Sequence, residues 1–323
     1  MEFFGKTNID FLGKRRIFLV VSVVINLVGL ALLLFGGMRL GIDFQGGTEV
    51  AVRFASEQHT DAVRAAVTKA GFQNAEIKSY GKANEFLIRV PDVTGQGERS
   101  PSARIVSTLQ ASFPNQAVTV LKEDRIGPKI GSELRTKAVI AVLLAIVAIL
   151  LYIAFRFEFI YGLGAVVALV HDVFVALTFV LVGQKLEILN LEFNQGVLAA
   201  LLTVVGFSIN DTVIIFDRIR ENRDKHKGMA LVPLMNLSIN ETLSRTINTV
   251  LTVVLVLSTL LALGGEVLHG FSFTMLVGII TGTYSSIYIA SAFVVWYTEH
   301  VKKEPVETAS TRQPKILRAL KEA

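Results

Sequence analysis

Apolar residues in this chain fall into long runs separated by short polar stretches. The first run covers Ile17 to Phe35 and the second begins only at Ala138 and ends at Phe155. Four more follow at Ile160 to Val182, Phe193 to Phe216, Thr246 to Leu263 and Phe271 to Tyr297. Each is about as long as the ~20 residues a helix needs to cross ~30 Å of hydrocarbon. The pattern predicts a polytopic α-helical membrane protein with six transmembrane helices. The last run is long enough to tilt or to contain an interfacial turn.

Between the first two runs the periodicity alternates between strand and helix. Thr48 to Phe54, Ala75 to Tyr80, Glu85 to Val90 and Ala117 to Lys122 read as strands, with a turn at Gly81. Thr60 to Ala70 and Ser102 to Phe113 carry apolar residues at helical spacing, and Pro91 to Pro101 reads as a loop. The order β-α-β-β-α-β predicts one α+β ferredoxin-like domain inserted between helices 1 and 2. The chain divides into an N-terminal segment (1–16), a first span (17–36), the inserted domain (37–133), spans two to six (134–299, with a polar loop at 218–244) and a tail (300–323).

Charge sets the expected orientation. Lys14, Arg15 and Arg16 precede the first span, Arg218, Arg220, Arg223, Lys225 and Lys227 follow the fourth, and Lys302, Lys303 and further basic residues lie in the tail. The alternate short loops carry only Lys185, or Glu266 and His269. The positive-inside bias predicts cytoplasmic N- and C-termini and an extracytoplasmic inserted domain. The first apolar core is longer than that of a signal peptide and reads as an uncleaved helix.

Composition narrows the classes of function. Of 323 residues, 52% are hydrophobic and 18% charged, which excludes a single soluble enzyme domain and a disordered chain. There is no cysteine, so disulfide and thiolate chemistry are excluded. The net charge of +5 reads as topology signal, not as a nucleic-acid footprint. No GxxxxGK[ST] loop is present, so any energy from ATP would come from another subunit, and no cofactor or metal motif is evident.

The candidate chemistry lies in polar residues within the apolar runs. Asp211, beside Asn210 in the fourth, is an ionisable group at membrane depth, a functional hypothesis by default. The alternative is a structural hydrogen bond between helices. Arg245 opens the fifth run, with Thr246 beside it and Thr249 one turn on; it either balances Asp211 or reaches for the interface. His171 and Asp172 lie mid-way along the third. The histidine suits either a proton shuttle or a satisfied helix contact. As neighbours in sequence, the two are expected to face different sides of their helix. Gly162, Gly164, Gly206, Gly278 and Gly282 suit close helix packing.

Taken together, GIDFQGG (Gly41 to Gly47), IGPKIGSEL (Ile126 to Leu134), HDV (His171 to Val173), VGFSINDTVIIFDRIREN (Val205 to Asn222), SINETLSRTINT (Ser238 to Thr249) and GTYSS (Gly282 to Ser286) resemble, in order, the motifs of the SecD/SecF family. That family lies within the resistance–nodulation–division superfamily, and the resemblance covers nearly the whole chain. It implies a six-span subunit of the bacterial inner membrane that pairs with SecD in a pseudosymmetric twelve-span unit. The pair would use the proton-motive force to complete preprotein export after the SecA ATPase and the SecYEG channel have begun it. A YajC-like accessory subunit and a membrane insertase are further implied partners, and the unfolded preprotein is the cargo. The family's coupling residues carry over to Asp211, Arg245 and Thr249, with His171, Asp172 and Asn210 as secondary candidates. The implied work is vectorial transport, not covalent catalysis. The competing expectations are a half-sized proton-driven exporter of lipids or small molecules, and a passive structural subunit.

Overall fold

The structure, a computed structural model, describes residues 7–306 apart from 74, 92–99, 157, 187, 188 and 190. Most of the loop read between Pro91 and Pro101, and the tail beyond 306, lie outside the described residues.

Helix α1 (Arg15–Ala31) continues through a widened turn at Leu32–Gly36. A short helix α2 (Ile42–Gln45) follows within the GIDFQGG segment. The inserted domain then runs β1 (Gly47–Phe54), α3 (Thr60–Lys69), β2 (Glu76–Tyr80), β3 (Lys82–Val90), α4 (Pro101–Ser112) and β4 (Val118–Ile126). The sheet order is β2-β3-β1-β4 with every neighbouring pair antiparallel, the split arrangement expected from the sequence. Val50, Val52, Phe54, Phe86, Ile88 and Val90 of the two central strands bury against Val63, Val67, Ile105 and Leu109 of α3 and α4. Alternation along the strands supplies this face, which is why the domain holds together without a disulfide.

Five more helical stretches complete the chain: α5 (Pro128–Arg156), α6 (Phe159–Leu186), α7 (Gln195–Lys225), α8 (Leu231–Leu263), and α9 (Glu266–Ser285), which passes through a widened turn at Ser286–Ala290 into α10 (Ser291–His300). Six helices among the described residues are long and apolar enough to cross a membrane, counting α9 with α10 as one. The six spans and the domain between the first two are therefore as expected. Helices α6, α7 and α9 form the centre, each with at least half of its apolar window buried, whereas α1, α5 and α8 lie at the periphery.

Segment 218–244, read as a polar loop, is helical except for His226–Ala230. Side chains account for this. Asn222 Nδ2 donates to Ser238 Oγ (3.0 Å) and Glu241 Oε2 (2.6 Å), and Arg218 Nε donates to the same Glu241 oxygen (2.6 Å). Asn236 Oδ1 accepts from the backbone of Phe11 and Leu12. Polar residues that look like loop are the contacts of a helical hairpin whose ends stand clear of the apolar layer.

The domain is fastened to the bundle at the α6–α7 connection. Gly41 N donates to Phe193 O and Phe193 N to Arg39 O, both at 2.9 Å. Asp43 Oδ2 accepts from Gln195 N at the start of α7 (2.9 Å). Buried Arg89 of β3 bridges Glu49 of β1 and Glu192 of the connection, at 2.5 Å each, and Lys78 Nζ adds a second bond to Glu192 at 2.6 Å. Desolvation opposes the charged form of Glu192, but the hydrogen bonds from Arg89 and Lys78 prevail and hold its carboxyl below the ordinary range.

Candidate functional site

Helix α7 buries one long stripe: Val197, Leu201, Val204, Ser208, Asp211, Thr212, Ile215, Ile219 and Asn222 lie at helical spacing toward its neighbours. Ser208 and Asp211 are one turn apart on that stripe, so a serine and an acid share the seam with α9. The seam is narrow because α9 presents glycines there. A Cβ on Gly278 would meet Val204, and one on Gly282 would lie 3.2 Å from the Ser208 Cβ. Small residues let the helix axes approach in lipid, where no hydrophobic force drives them together.

Asp211 is 1% exposed. Thr283 Oγ1 donates to its Oδ2 at 3.3 Å and also to the carbonyl of Ile279 at 3.1 Å. Arg245 is close enough to act on Asp211 electrostatically but forms neither a hydrogen bond nor an ion pair with it. Arg245 itself is exposed on α8, and the Thr249 hydroxyl, also exposed, donates to the Arg245 carbonyl at 3.0 Å. Thr246, between them, is buried with its hydroxyl unpartnered among the described residues. Asn210 points away from the seam and is exposed. The structure thus sets Asp211 on the inner side of α7, and Asn210, Arg245 and Thr249 on an open face.

The second acid is bound more completely. Asp172 on α6 is fully buried. Its Oδ2 accepts from Ser208 on α7 at 2.5 Å and from Ser285 on α9 at 2.6 Å. Its Oδ1 lies 2.9 Å from Nδ1 of His171. This contact joins two side chains that, as neighbours in sequence, leave their helix in different directions. Asp172 faces Ser208 of α7 and Ser285 of α9, the His171 ring lies beside Tyr284 of α9, and the imidazole turns its Nδ1 onto the neighbouring carboxylate. Ser208 and Ser285 are functional candidates that the sequence reading missed. A mid-span serine is ordinarily satisfied by a carbonyl four residues back, so only the spacing Ser208–Asp211 and the small-residue run from Gly278 to Ser286 hinted at them.

Among the glycines, Gly162, Gly164, Gly278 and Gly282 serve close packing as expected, but Gly206 does not. A Cβ there would meet nothing within 4 Å, because Gly206 lies with Thr203 and Asn210 on the open face of α7. Asp217, near the far end of α7, is half-buried and ion-paired with Arg156 at 2.8 Å.

Comparison with known proteins fits this geometry. The family model "Protein export membrane protein SecD/SecF, C-terminal" matches residues 106–300, which carry α5 to α10, and the "SecD/SecF GG Motif" matches residues 31–57. The protein translocase subunit SecF of Calditerrivibrio nitroreducens is 40% identical over 294 residues, covering 89% of this chain and 93% of that protein. The SecF subunit of Rhodothermus marinus is 42% identical over 296 residues, covering 91% and 95%. The crystal structure of SecDF, a translocon-associated membrane protein from Thermus thermophilus, superposes with a TM-score of 0.79 at 36% identity over 91% of this chain. This chain spans only 39% of the length of that SecDF chain. The C-terminal signature spans the helices that build the site, the GG motif covers the segment that fastens the inserted domain to the bundle, and SecF subunits of similar length match over most of their sequence: the chain belongs to the SecD/SecF family.

Proposed function

We propose that this chain is the SecF-type subunit of a protein translocase and that, paired with SecD, it uses the proton-motive force to drive late preprotein export. SecA and SecYEG begin that export. The orientation that suits this role follows from the basic residues: termini in the cytoplasm, inserted domain outside.

One observation carries the reading. Asp211 is enclosed within the fourth apolar run, held by a single long hydroxyl contact and near an arginine that does not bond to it. An ionisable group so lightly held in the membrane is costly as a structural device and suits a proton carrier. As an anion, Asp211 is drawn toward Arg245. Protonation cancels that attraction, and α7 relaxes against α9 across the glycine seam. One elementary charge falling through 100 mV supplies about 2.3 kcal/mol, enough to bias two packings a few kcal/mol apart. Because Asp43, Phe193 and Glu192 fasten the inserted domain to the start of α7, repacking of α7 reaches the domain, where the emerging preprotein is held. Thr249 sets the carbonyl of Arg245, and Asn210 lies on the face offered to SecD.

The test is gradient-dependent export of a secreted preprotein into membrane vesicles in which Asp211→Asn replaces the native chain and subunit levels are matched. The expected result is normal assembly with loss of the response to the gradient. Export that still follows the gradient would overturn the reading and leave a passive subunit.

A further inference from the structure

Asp172 plays no part in the cycle built on Asp211, yet it is the more deeply enclosed acid. Three groups meet its oxygens: hydroxyls of Ser208 and Ser285 on one, and the imidazole of His171 on the other. As an anion, a buried Asp172 needs a balancing charge, which a proton on the neighbouring imidazole would supply. If the proton moves along the 2.9 Å line from Nδ1 to Oδ1, the same contact becomes a neutral acid beside a neutral imidazole. In either form the pair holds one proton.

The far side of the imidazole points to where that proton enters and leaves. His171 is buried, and its Nε2 has no hydrogen-bond partner among the described residues. A buried polar nitrogen left alone is costly, and a water is its usual partner. The Tyr284 ring lies 6.1 Å away, centroid to centroid, with its own hydroxyl engaged by the Phe18 carbonyl and Ser22 of α1. The groups that the surrounding helices bring are few. Helix α9 contributes Tyr284 and Ser285, α7 contributes Ser208 with Asp211 one turn on, and α1 contributes Ser22. Helix α5 carries no charge between 138 and 155.

We infer that His171 and Asp172 form a second proton-holding station in the bundle, exchanging its proton at His171 Nε2 and coupled to Asp211 through the α7–α9 seam. The inference rests on the proton-driven reading above. The coupling is geometric. Ser208 is one turn from Asp211 on α7, and Ser285 is two residues from Thr283 on α9, so the two helices that hold Asp211 also supply the hydroxyls on Asp172. A shift of α7 against α9 changes how many donors Asp172 keeps. Losing a donor destabilises the carboxylate and favours uptake of a proton. Loading of one acid then changes the proton affinity of the other. No bond other than those to the moving proton forms or breaks.

The purified complex with its partner subunit supplies the test. Infrared difference spectra across pH read carboxyl protonation directly, and gradient-dependent export is measured in vesicles with the same variants. Two titrating carboxyl bands are expected. Asp172→Asn removes one and Asp211→Asn the other. His171→Gln shifts the pH at which the Asp172 band appears, and Asp172→Asn abolishes the gradient response at normal subunit levels. If Asp172→Asn fails to assemble, Ser285→Ala keeps the acid and removes one donor, and the Asp172 band must then shift. A band that does not titrate, a band unmoved by both His171→Gln and Ser285→Ala, or full gradient-dependent export by an assembled Asp172→Asn complex would each overturn the proposal. The spectra do not depend on transport. An inert Asp211→Asn beside a titrating Asp172 band would defeat the function proposed above and leave the second station standing.

Discussion

Single residues in this chain divide into those that hold charge firmly and those that hold it loosely. Glu192 is of the first kind: two cations, Arg89 and Lys78, bond it in a buried site, and both come from the inserted domain. Breaking a buried pair by removing one partner costs about 3 kcal/mol or more, because the remaining charge keeps its desolvation penalty. Glu192→Gln should therefore lower the thermal stability of the purified subunit. The pH dependence has a definite sign. The folded-state carboxyl lies below its ordinary value of about 4.3, so its contribution is fully present above that value and disappears as pH falls through the lower folded value. Melting curves from neutral to strongly acidic pH should show an acid-labile increment in the native chain that Glu192→Gln lacks. Identical acid profiles would mean that the ion cluster does not hold the domain. Asp211 is of the second kind, with one hydroxyl at 3.3 Å and no bonded cation. Its substitution by Asn should barely move the melting point, and this separates a titrating residue from a structural one.

At the scale of elements, the α7–α9 seam is set by glycine. Gly282→Val would press on Ser208, the donor to Asp172, and overpacking of this kind costs about 1–3 kcal/mol. The expected result is a lower melting point together with loss of gradient-driven export. Gly206→Ala is the matched control: it removes a helical glycine where nothing stands within 4 Å, and the isolated subunit should be unharmed or slightly stabilised. Equal destabilisation by both would show that the seam is not the tight contact. The spans and the order of the inserted domain were legible in the sequence because each rests on a periodicity: apolar runs of membrane length, and large apolar residues at every second position, as at Val50, Val52 and Phe54. Two features were not legible. The helical hairpin across 218–244 depends on Asn222, Ser238 and Glu241 meeting across sixteen or more residues, and its polar surface resembles a loop. The Asp172 cluster joins α6, α7 and α9 through Ser208 and Ser285, and one-dimensional spacing does not reveal which helices are neighbours. Asp211 was found because a lone acid in an apolar run is conspicuous. Its separation from Arg245 was not, since that depends on how α7 and α8 turn toward each other.

For the molecule as a whole, the open face is the informative feature. Thr203, Gly206 and Asn210 of α7 and Arg245, Thr249 and Thr252 of α8 are exposed at depths where the rest of each helix is apolar. Polar groups left toward lipid are unfavourable, so this face calls for a partner that supplies hydrogen bonds and small residues of its own. The outward side of α5 is different: Leu143, Leu144, Val147 and Leu151 are exposed and uniformly apolar, as contact with lipid chains requires. A six-span chain with one polar and one apolar outer side suits half of a twelve-span unit closed around the polar face. Asn210→Leu with Gly206→Leu should then weaken association with SecD while leaving the melting point of the isolated subunit unchanged. A hydrogen bond between membrane helices is worth about 0.6–2 kcal/mol, so losing one such contact predicts roughly a threefold to thirtyfold weaker complex. Leu143→Phe on the apolar side should leave association intact. Co-purification of tagged SecD at graded subunit concentrations reads the difference. Undiminished association of the α7 double variant would place the partner elsewhere, and Asn210, Arg245 and Thr249 would then line a path open to water and protons rather than an interface.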